Sequence, residues 1–156
     1  MKKTISIGSP RGLSADGRRS LRCLVALMIP DSTEYEVPGA DDEKIFSDIA
    51  SSLGRDAENV QLAVRHLDAM ASGVFADAPV ATQRSVTKLF RATYPALAEV
   101  LVAATTRCYY RDDRVMQAIG MEPRPPYPKG FAVEQGDWSL LDPVRARGQV
   151  YRDVPP

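Results

Sequence analysis

Seven of the chain's twelve prolines fall between Met121 and Pro156. Proline lacks a backbone N–H and fixes φ, so it ends helices and is kept out of central strands. The same stretch holds the only tryptophan, Trp138, together with Tyr127, Phe131, Leu140, Leu141, Val144, Val150 and Tyr151. Flexible linkers are rich instead in Gly, Ser and like charges. The stretch is therefore expected to be neither helix nor loose tail. It reads as an extended, stiffened arm that lies against a surface, either its own domain's or a partner's.

Upstream, prolines and glycines punctuate helical stripes. Residues 1–13 are polar and read as a flexible N-terminal arm. A first helix is expected from Ser14 or Asp16 to Pro30, with Leu21, Leu24, Val25 and Met28 at i, i+3, i+4, i+7. Asp41, Asp42 and Glu43 suit the start of a second helix, where carboxylates cap free N–H groups. Phe46, Ile49 and Leu53 form its inner face, and Gly54 ends it. Asp56 opens a third helix through Val60, Ala63, Val64, Leu67 and Ala71, stopping at Gly73. Pro79 suits the first turn of a fourth, with Val86, Leu89, Phe90 and Tyr94 inward and Arg84, Lys88 and Arg91 as a basic stripe. Pro95 restarts the chain as a fifth helix with Leu97, Val100, Leu101, Ala104 and Cys108, where Ala103, Ala104 and Thr105 would allow close packing. Asp112 caps a short sixth, through Val115, Met116 and Ile119 to Gly120. The expected fold is all-α: a small bundle of five or six short helices over residues 14–120, with a long irregular arm over 121–156.

The 156 residues fit one domain, and the formal net charge is zero. A nucleic-acid partner normally leaves a basic excess, so none is expected. Acidic groups crowd residues 31–58 and basic ones residues 1–22, which reads as a basic leader beside a solvated acidic helix start. Cys23 and Cys108 are far apart without a CxxC partner, which argues against a disulfide framework and for a reducing compartment. Cys108 continues an apolar stripe and is expected to be buried. Arg18-Arg19 before an apolar run is similar to a twin-arginine leader. Arg22 interrupts it and Pro30 ends it, with no cleavage site following. Cytoplasmic residence is the expectation, periplasmic residence the alternative. No apolar run reaches the length of a membrane span.

Catalytic signatures are missing. There is no phosphate-binding glycine loop, no HExxH and no nucleophile elbow. His66 is the only histidine and has no second one to share a metal. The acidic pairs Asp41-Asp42 and Asp112-Asp113 sit at helix starts, where capping explains them. No catalytic, cofactor-binding or metal-binding residue is assigned. Recognition chemistry is what the chain offers. Tyr109, Tyr110, Tyr127, Trp138, Arg145, Arg147 and Arg152 are residue types that dominate protein interfaces.

These residues fall in recognisable runs. They are Cys108-Tyr109-Tyr110-Arg111-Asp112-Asp113-Arg114-Val115, Arg124-Pro125-Pro126-Tyr127-Pro128-Lys129-Gly130-Phe131, and Trp138-Ser139-Leu140-Leu141-Asp142-Pro143-Val144-Arg145-Ala146-Arg147 with Tyr151-Arg152. With the earlier Leu24-to-Pro30 and Val37-to-Asp42 stretches, the chain resembles the gluconate 2-dehydrogenase subunit 3 family over about residues 20–152. The resemblance implies a non-catalytic small subunit. Its partner would be a large FAD-dependent oxidoreductase of the glucose-methanol-choline type, which oxidises sugars, sugar acids or alcohols. FAD would belong to that partner, and in membrane-linked relatives a cytochrome c subunit takes the electrons. Two other classes stay open from the residues. One is a self-contained small enzyme or ligand-binding protein, using a pocket near His66 or the Asp112/Asp113/Arg114 cluster. The other is a homo-oligomeric module whose arm swaps onto a second copy.

Overall fold

The computed structural model describes residues 12–125, 127–130 and 135–148. The fold is all-α among these residues, with seven helices: α1 (Ala15–Met28), α2 (Glu43–Ser51), α3 (Ala57–Met70), α4 (Val80–Thr93), α5 (Pro95–Tyr109), α6 (Asp113–Ala118) and α7 (Asp142–Arg145). Short 3-10 turns at Gly54–Asp56, Phe75–Asp77 and Trp138–Leu141 join or precede them. The chain divides into two compact units, residues 1–123 and 124–156.

In the first unit α3 is the hub. It packs against α1, α4, α5 and the turns Gly54–Asp56 and Phe75–Asp77, while α5 also packs against α2 and α4. The α3 side chains Val60, Ala63, Val64 and Leu67 are buried at helical spacing. Each large apolar side chain sealed in this way contributes about 1.5–3 kcal/mol. Leu21, Leu24 and Val25 of α1 and Ile45, Phe46 and Ile49 of α2 are buried as well. Leu13, at the end of the expected N-terminal arm, is half-buried against the core.

The helix starts follow from short polar side chains. Ser14 Oγ accepts from Gly17 N–H at 3.0 Å, Asp42 from Lys44 N–H at 3.1 Å, and Asp112 from Arg114 N–H at 3.0 Å. Each satisfies a donor that the helix itself leaves unpaired. Asp56 does not cap α3; it lies in the preceding 3-10 turn and faces Arg107 at 3.8 Å. The chain leaves α3 through Ser72 (φ +59°) rather than Gly73. Between α1 and α2 the loop is closed by a Ser32–Val37 bridge. Gly39 is needed there, because a Cβ would sit 2.9 Å from Asp31 N and 2.5 Å from Asp41 Oδ1.

Other expectations about the packing need correction. Leu89 is 59 % exposed. The buried face of α4 is Gln83, Val86 and Phe90, because the Gln83 amide donates to Phe75 O (3.2 Å) and Ala76 O (3.3 Å). Ala103 is exposed, while Ala104 and Thr105 face the core. The proline-rich stretch does form helical turns, from Trp138 to Arg145. Pro143 sits in the first turn of α7, where a missing N–H costs nothing.

A single carboxylate ties three elements together. Asp68, on the last turn of α3, accepts from Ser20 Oγ of α1 at 2.6 Å and from Phe75 N–H at 2.8 Å. Ser20 and Phe75 are both fully buried. Asp68→Ala leaves both donors without a partner, so it should lower unfolding stability by about 2 kcal/mol or more. Asp68→Asn, which keeps an acceptor oxygen, should lose less. Urea unfolding midpoints of the two variants check this.

Candidate functional site

The densest polar constellation joins the N-termini of α2 and α6. Asp112 is buried and receives Arg114 Nε at 2.9 Å and Lys44 Nζ at 3.3 Å. The other arm of the Arg114 guanidinium reaches Asp42 at 2.7 Å. A second pair lies beside it. Arg111 holds Asp48 in a two-pronged contact and donates to Ser52 Oγ at 2.7 Å. Asp48, Arg111 and Asp112, with Lys44, Ile45 and Cys108, line a cleft of about 160 Å³.

The electrostatics of the cluster favour a clasp over chemistry. Arg114 holds the Asp112 carboxyl down at about 2. It also lowers Asp42, and Arg111 lowers Asp48. Carboxylates kept ionised by fixed guanidinium partners are poor proton donors near neutral pH. Burial pushes the Cys108 thiol up, away from the reactive thiolate. His66 stacks on Tyr94, with ring centroids 4.2 Å apart. Among the described residues no three His, Cys, Asp or Glu side chains gather to hold a metal ion. Both cysteines are free. No helix among the described residues is long and apolar enough to cross a membrane.

The expected interface residues fall in different settings. Tyr109 is 4 % exposed, and its hydroxyl donates to Pro38 O at 3.1 Å. It is a core residue of the first unit and does not present a surface. Position 109 continues the buried stripe of Leu101, Thr105 and Cys108, and an internal acceptor satisfies the phenol. Tyr110 is exposed and meets the Tyr109 ring edge-on at 5.3 Å. In the second unit Tyr127 is 86 % exposed and Trp138 60 %. Arg145 pairs with Asp142 at 3.1 Å, and Arg147 is exposed. Arg152 lies outside the described residues.

The described part of the second unit has local hydrogen bonds of its own. Asp137 caps the turn by accepting from Ser139 N–H (3.0 Å) and Ser139 Oγ (2.6 Å). Trp138 Nε1 donates to Gln135 Oε1 at 3.2 Å. Arg124 Nη2 donates to Gly130 O at 2.7 Å. Leu140, Leu141 and Val144 are exposed on the same short segment as Trp138. The Asp-x-Ser capping pattern at Asp137-Trp138-Ser139 is a sequence signal that the proline count obscured.

Comparison of the chain with family models, with curated proteins and with solved structures finds no match.

Acid should open the clasp. Asp112 titrates at about 2 in the fold, against 3.8 for the unperturbed group. The folded value is the lower one, so the unfolded state binds more protons. The stabilisation is therefore complete above about pH 4 and is lost as pH falls toward 2. Asp112→Asn should be less stable than the parent at neutral pH and should show a shallower fall between about pH 4 and 2. Urea unfolding across that range measures both slopes.

Proposed function

We infer that this chain is a non-catalytic small subunit. It would bind and stabilise a large FAD-dependent oxidoreductase of the glucose-methanol-choline type, which acts on sugars, sugar acids or alcohols. The observation that carries the reading is the exposed apolar row Trp138, Leu140, Leu141 and Val144, held on a capped turn in a segment otherwise stiffened by proline. Monomers rarely leave so many large apolar groups together in water without a partner for them. A preformed turn loses little entropy on docking. Trp and Arg side chains commonly carry most of the energy at such contacts. The motif resemblance supplies the identity of the partner, and it rests on the quoted runs alone, since no family model matches.

In this reading the first unit provides a stable platform. FAD, the substrate pocket and the electron acceptor belong to the large subunit, and the heterodimer resides in the cytoplasm. Co-expression with a neighbouring flavoprotein gene should give a yellow complex that elutes as one species. Trp138→Ala with Leu141→Ala should weaken copurification at least about tenfold, as loss of a central anchor does, while leaving the helical signal of the small subunit unchanged. Separate elution, with a flavoprotein equally soluble, flavin-loaded and active alone, would sink the reading. Unfolding of the double variant on its own would show instead that the row packs within this chain.

A further inference from the structure

The first unit carries a second surface that the proposed function does not use. An open groove of about 550 Å³ runs between the C-terminal part of α1 and the outer face of α4. Its apolar side is Ala26, Leu27 and Pro30, and its other side carries Arg84, Lys88 and Arg91. The three cations stand at i, i+4, i+7 on α4, so they form one line along the helix. All three are exposed.

The arrangement differs from that of most other described arginines of the first unit; Arg18, which also has no ion pair among the described residues, lies over the Phe46 ring at 5.4 Å. Arg19, Arg22, Arg107, Arg111 and Arg114 each meet a carboxylate. No carboxylate among the described residues pairs with Arg84, Lys88 or Arg91, and none lines the groove. Arg55 and Arg65 also lack an ion pair, but the cleft they line includes Glu58. Arg91 lies in the last turn of α4, where the helix dipole favours a cation. Arg84 sits mid-helix and has no such support. Three like charges in a row repel one another, and no carboxylate among the described residues pairs with them to offset that. A trough walled by one sign of charge concentrates the opposite sign.

We propose that the α1/α4 groove is a docking site for an acidic amphipathic segment of a partner protein. Apolar side chains of the segment sit against Ala26, Leu27 and Pro30, and its carboxylates face Arg84, Lys88 and Arg91. The volume lies within the roughly 300–1,000 Å³ of typical binding clefts, enough for a few side chains. The apolar wall is aliphatic, with no aromatic ring among its lining residues on which a base could stack, which favours a peptide over a nucleic acid. The inference rests on the first unit alone and is independent of the identity proposed for the large partner.

The test uses the full chain and two fluorescein-labelled helical peptides of about 15 residues. One has leucines along one face flanked by glutamates; the other has lysine in place of every glutamate. A single-stranded oligonucleotide is the third probe. The glutamate peptide should bind, weaken with salt, and lose about tenfold or more in affinity to Arg84→Glu with Lys88→Glu. The lysine peptide should gain affinity for that same variant. Arg55→Glu with Arg65→Glu, on the other cleft, should leave binding unchanged. Circular dichroism checks that both variants fold. Three results overturn the proposal: no preference for the glutamate peptide, tighter binding of the oligonucleotide, or self-association that Arg84→Glu with Lys88→Glu abolishes.

Discussion

Everything in the first unit depends on the burial of one face of α3. Val60, Ala63, Val64 and Leu67 lose their water to helices on several sides, and α1 and α4 are positioned by packing on that same helix. Two helices docked on a common third leave a furrow where their outer flanks diverge, and the α1/α4 groove lies there. Asp68 fixes the arrangement at the end of α3. It supplies the acceptor that the buried Ser20 hydroxyl and Phe75 N–H require, so α1 and the Phe75–Asp77 turn cannot slide along α3 without stranding a polar group. Hydrophobic burial supplies the free energy, and this carboxylate sets the register.

The acidic run of residues 31–58 takes on a different meaning in the fold. Asp42, Asp48 and Asp56 face Arg114, Arg111 and Arg107, and Glu43 faces Arg22 at 2.8 Å. The run is one half of a set of contacts between α2 and the α5–α6 corner, with a further link to α1. Pairs as exposed as Arg22–Glu43 add at most about 1 kcal/mol each. Their value lies in specifying which helix ends meet. The Asp112–Arg114–Asp42 chain is the exception, because Asp112 is buried and would strand a charge if its partner were removed.

Periodicity and capping were enough to read most of the fold from the sequence. The apolar stripes place α1 to α6, and Ser14, Asp42 and Asp112 mark their starts because a short polar side chain before an apolar run has few other uses. Tertiary context decided the rest. Gln83 is buried because two carbonyls of the adjacent turn face it, which no hydropathy pattern encodes. Leu89 is left outside because the buried strip of α4 is narrow. Tyr109 has the composition of an interface residue, yet its hydroxyl finds Pro38 O across the fold. The Trp138–Arg145 turns were hidden by counting prolines. Position matters more than number, since a proline in the first turn is compatible with a helix.

A formal net charge of zero suggests a chain with no electrostatic preference, but the fold distributes the charge unevenly. Carboxylates of the α2 region are matched to arginines of α1, α5 and α6, which neutralises that side. The cations of α4 are left without a counterpart among the described residues. The chain is thus neutral in sum and basic along one groove. Overall charge controls solubility and long-range attraction, whereas recognition depends on the local field near a shaped surface. A zero net charge gives no general attraction for a nucleic acid, which carries charge along its whole length. The same argument does not bear on an acidic peptide, which needs only a few cations in line beside an apolar wall.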